Sequence, residues 1–163
     1  MTTFSVWKFD EPDGAERAAR MLRDAEAEHL VTIDDDAIVS WPPGASHPRT
    51  KHGHEETWRG AGWGSVFGLL IGTLFFVPVV GGLAGAALGA LAKSTKDAGI
   101  TKEQLEKIRV EVTEGTSALF VVTEEGNLDR LGDRMRGMRS SALLATNLTD
   151  AERDMLLEAF GGP

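Results

Sequence analysis

Three histidines, His47, His52 and His54, fall close together, with Glu55 and Glu56 immediately after them. Imidazole and carboxylate are the ligand types of zinc and other borderline cations. If residues 49–55 form a strand, His52 and His54 share a face and could share an ion with a carboxylate. No second ligand cluster with metal-site spacing stands elsewhere, so these two are metal candidates only, and neither metal nor cofactor is expected. An imidazole pair of ordinary pKa would also suit a pH-responsive role. The plainer reading, a solvated hairpin of mildly basic residues, is the one adopted.

The other chemically suggestive groups are sparser still. Asp34, Asp35 and Asp36 form an acidic run without the spacing of a calcium loop, and read as a turn and the start of a strand. On a strand only Asp34 and Asp36 would share a face. Ser65 and Ser117 have no histidine and acid partners at motif spacing, and no G-x-S-x-G elbow occurs. Gly62, Gly64 and Gly68 miss the spacing of a dinucleotide loop, and no G-K-[ST] follows. Zero cysteines exclude disulfides, cysteine-ligated zinc and a thiol nucleophile. The expectation is therefore a protein that is not an enzyme.

The most distinctive stretch carries no charge at all. From Gly60 to Ala92 there is no Asp, Glu, Lys or Arg, and glycine recurs every fourth residue: Gly60, Gly64, Gly68 and Gly72, then Gly81, Gly85 and Gly89. A four-residue interval places each series on one stripe of a helix, where a second helix can approach closely. Pro78 lies between the series and breaks the helical ladder. The spacing predicts a glycine-zipper helical hairpin, with arms near 60–76 and 80–96 and a turn at 77–80. Each arm would run about 25 Å, slightly short of a bilayer core of about 30 Å. Arg49, Lys51 and Arg59 precede the hairpin, Lys93 and Lys96 follow it, and Trp58 and Trp63 lie near its start. Basic residues at both ends predict a hairpin in the cytoplasmic membrane with both termini cytoplasmic.

The flanking sequence reads as an α+β head. Phe4–Phe9 and Asp36–Trp41 read as strands around a helix opened by Asp13 and Glu16 and running to about Glu28. Residues 49–55 read as a hairpin partner of the second strand. Thr101 and Gln104 have capping-box spacing, with Leu105, Ile108 and Val112 on one face. Gly115 precedes a strand over Thr116–Thr123. Asn127 opens a helix to about Arg136, Ser141–Asn147 forms a strand, and Thr149 with Glu152 opens a terminal helix ending at Gly161. That count predicts a ferredoxin-like split βαβ sandwich. Residues 1–57 and 98–163 would form the head, and 58–97 the inserted hydrophobic hairpin.

The 163-residue chain has a net charge of −8. A sequence pI near 5.0 opposes nucleic-acid binding, which needs a net basic face. The N-terminus, MTTFSVWKFDEP, lacks the basic and apolar pattern of a signal peptide.

GWGSVFGLLIGTLFFVPVVGGLAGAALGAL, followed by DAGI and EGTSALFVV, resembles the bacterial family known as domain of unknown function 1269. The resemblance extends to VWKFD, the helix after it and IDDDAIVSW. It implies a small membrane protein, with a link to stress responses in some members, and brings no catalytic residues.

Residues and resemblance together predict a self-associating membrane protein with itself and lipid as partners. The seven zipper glycines would pack the hairpins, with Gly68, Gly72, Gly81, Gly85 and Gly89 making the closest contacts. The alternatives are a soluble cytoplasmic ring or shell with hairpins buried in a shared apolar interior, or a ligand- or metal-binding regulatory module.

Overall fold

The computed structural model describes residues 3–52, 67, 68, 70–76, 89–93, 99–124 and 141–159. In chain order the elements are β1 (Thr3–Phe9), α1 (Gly14–Ala27), β2 (Thr32–Ser40), β3 (Arg49–His52), a π-helical turn (Gly72–Phe76), α2 (Lys102–Glu111), β4 (Ser117–Glu124), β5 (Ser141–Thr146) and α3 (Asp150–Ala159). The five strands make one sheet in the order β3-β2-β4-β1-β5. Every neighbouring pair is antiparallel.

β4 is the keystone of that sheet. Its sequence, SALFVVTE, is apolar on both sides, and its first six residues are buried. Such a run suits a central strand covered on both faces. It pairs with β1 from Phe9↔Ser117 to Thr3↔Thr123, and with β2 from Ser40↔Ser117 to Thr32↔Glu124. The strands joined by α1 are therefore separated in the sheet by one that lies far later in the chain.

Alternation divides the core in two. Phe4, Val6, Ala37, Val39, Ala118, Phe120 and Val122 belong to one cluster. Trp7, Phe9, Ile33, Ile38, Leu119 and Val121 belong to the other. The second cluster is closed by α1, through Ala15, Ala18, Ala19, Leu22 and Ala25, with Leu157 of α3 at its margin. The first is closed by Leu105, Ile108 and Val112 around α2, and by Phe67, Leu70, Ile71, Leu74 and Leu91 from the uncharged stretch.

Helix α2 begins as its residues predict: Thr101 Oγ1 accepts the Gln104 N–H at 3.2 Å, and the Gln104 side chain accepts the Thr101 N–H at 3.4 Å. Gly115 stands at φ 86°, a left-handed conformation that favours glycine before the strand. Helix α3 opens on Thr149, whose N–H and hydroxyl both donate to Glu152 at 2.9 Å. These bonds hold the Glu152 carboxyl below its ordinary range.

Two expectations change in detail. α1 is capped at Asp13, but the Asp13 side chain makes no capping bond. Ser117 supplies it from the neighbouring strand, accepting the Ala15 N–H at 2.9 Å and donating to the Glu11 carbonyl at 2.6 Å. β2 also starts earlier than Asp36, so the acidic run lies inside the strand rather than in a turn. The expected helix over 127–136 and the expected end of the terminal helix at Gly161 lie outside the described residues.

Candidate functional site

The described pieces of the uncharged stretch sit on the sheet. Phe67, Leu70, Ile71 and Leu74 follow the i, i+3, i+4, i+7 spacing of one helical face, and all four are buried. The Phe67 ring lies between Phe4, with centroids 6.1 Å apart, and Phe120, met edge-on at 6.2 Å. Both distances suit favourable ring pairing in a packed interior. Leu91 joins the same cluster from the helical stretch at residues 89–93. These side chains complete the head's own core.

The glycines within reach of description do something different. Gly68 is exposed, and Gly72 and Gly89 are half-buried. A Cβ added at any of the three would meet nothing within 4 Å. Among the described residues no second helix is seated against them, so the glycine-zipper reading has no support at these three positions. Among the described residues 67, 68 and 70–76, the large apolar side chains and not the glycines make the close contacts. Gly60, Gly64, Gly81, Gly85 and the Pro78 turn lie outside the described residues, as do Trp58, Arg59, Trp63 and Lys96.

The membrane reading is corrected as well. Among the described residues no helix is long and apolar enough to cross a membrane. Two of the basic residues expected to flank a bilayer belong to the sheet instead. Arg49 and Lys51 lie in β3, paired with Ser40 and Ile38, and the Lys51 ammonium lies 3.6 Å from Glu16 on α1. The physical reason is competition for the same apolar side chains. The first sheet face offers Phe4, Val6, Phe120 and Val122, and burial there removes Phe67, Leu70, Ile71, Leu74 and Leu91 from any other apolar surroundings.

Among the described residues of the stretch, the exposed ones are small and uncharged, with one large exception. Phe76, at the end of the π-helical turn, is 50% exposed and meets the His47 ring at a centroid separation of 6.1 Å. Among the described residues of the stretch, Gly68, Ala90 and Phe76 are exposed and Gly72 and Gly89 half-buried.

The polar candidates separate on inspection of their partners. His52 falls in β3 opposite Ala37, while His54 lies outside the described residues. Among the described residues no group of three or more His, Asp or Glu is placed to hold a metal ion. Ser117 is buried, with its hydroxyl engaged at the start of α1. The register of β2 shifts between Ile33 and Asp35, so Asp34 has no opposite residue in the β4 ladder and strict alternation fails. Asp34 and Asp36 are consequently not a same-face pair. Asp36 is buried beneath α1, 3.2 Å from the Arg23 guanidinium. Asp34 stays exposed, and its carboxyl is pushed above the usual carboxylate range, by desolvation first and then by Glu124, Asp35 and Glu26.

Sequence comparison adds the family. The family model described as "Protein of unknown function (DUF1269)" matches residues 61–161, more than half of the 163-residue chain. The chain belongs to the DUF1269 family. The match takes in the uncharged stretch, α2, β4, β5 and α3, and leaves β1 through β3 outside it. No curated protein and no solved structure matches the chain. DUF1269 therefore supplies a kinship and no activity.

The heptad-like stripe Phe67, Leu70, Ile71, Leu74 lies in the same residues as the glycine series, and it is the stripe that buries area.

Proposed function

We propose that this DUF1269 protein is a non-enzymatic homo-oligomer that works in the aqueous phase, its uncharged stretch buried in a shared apolar interior of a ring or shell. One observation carries this reading. Phe67, Leu70, Ile71, Leu74 and Leu91 enter the core of their own sheet while Phe76 stays half exposed, in a stretch without a charged residue in a chain of net charge −8. An uncharged surface with an exposed aromatic is what association with another copy would cover. Gly68, Gly72 and Gly89, open within one chain, would permit a close approach by that copy.

The head is proposed to be a ferredoxin-like split βαβ sandwich, residues 1–57 and 98–163, with 58–97 as an inserted helical hairpin. The order β2-β4-β1-β5, with α1 crossing between β1 and β2 over an intervening antiparallel strand, supports this topology. β3 would then be an added edge strand. In this arrangement the insert covers the sheet face opposite α1 rather than standing away from the head.

Sedimentation velocity in detergent-free buffer tests the function. The wild-type protein is expected as a single large species, and Phe76→Glu as a smaller one with an unchanged circular dichroism spectrum. A wild-type monomer across a hundredfold concentration range would overturn the proposal.

A further inference from the structure

No further inference is drawn: the strongest candidate, the carboxylate cluster of Glu26, Asp34, Asp35 and Glu124 where the last turn of α1 meets the bulge in β2 and the end of β4, is an acidic cluster with no second observation in the structure that points to a bound ligand.

Discussion

The two faces of the sheet are closed by different means. On one, α1 lays four alanines and Leu22 against Trp7, Phe9, Leu119 and Val121, so a small-residue helix sits close on a large-residue sheet face. On the other, Phe67, Leu70, Ile71, Leu74 and the α2 residues bring bulk of their own to Phe4, Val6 and Phe120. Close approach by small residues thus occurs in α1, and not at Gly68, Gly72 or Gly89 among the described residues. A small side chain marks intimate contact only where something is seated over it.

The sharpest way to break this comparison is to empty one site on the face that Phe67 covers. Phe67→Ala is expected to cost about 3–5 kcal/mol, the range for truncating a buried aromatic, read from urea unfolding. A loss under about 0.5 kcal/mol would mean that the stretch is a mere appendage of the head.

Two glycines then set the faces against each other. At Gly14, where α1 starts, a new Cβ would lie 2.5 Å from the Phe9 Cβ, so the backbone must move. Gly14→Ala should destabilise by about 1–3 kcal/mol. Gly68→Ala meets open space on a helix and should stabilise by roughly 0.5–1 kcal/mol. Thermal unfolding of both variants checks the pair, and the contrast fails if their signs agree.

Ser117→Ala probes the strap between β4 and α1. It leaves the Ala15 N–H and Glu11 carbonyl without their buried partner, for a loss of about 1–3 kcal/mol. An Asp13→Ala variant should cost less, because that side chain makes no capping bond.

The smallest effect belongs to Asp34. Its carboxyl titrates higher folded than unfolded, so the native state holds the proton more tightly and stability falls as pH rises through that carboxyl's folded pKa. Asp34→Asn should therefore stabilise the protein at pH 7, by less than about 1 kcal/mol given its exposure, and the gain should vanish below about pH 4. Unfolding midpoints at pH 7 and pH 3.5 measure it; an equal gain at both values would assign the effect elsewhere.

The predictions rest on features of unequal legibility. The Thr101–Gln104 cap, the left-handed Gly115 and the apolar run of β4 were readable because each is decided by neighbours a few residues away. The start of β2 was not, since three consecutive aspartates argue for a turn until a bulge removes Asp34 from register and Arg23 receives Asp36. The Ser117 cap was equally hidden, because it joins residues about a hundred positions apart. The glycine stripe misled for a different reason. Periodicity identifies which residues share a helical face, but two stripes overlapped, and only packing decides which one turns inward.

The placement of β4 governs when the molecule can become a sheet. β1 and β2 leave the ribosome early, yet neither has the other as a neighbour, and the strand both require follows Gly115. A nascent chain must therefore keep two apolar strands from wrong pairings until most of its length has been made. Contacts this distant along the chain slow folding, so this head should complete its architecture late and nearly all at once.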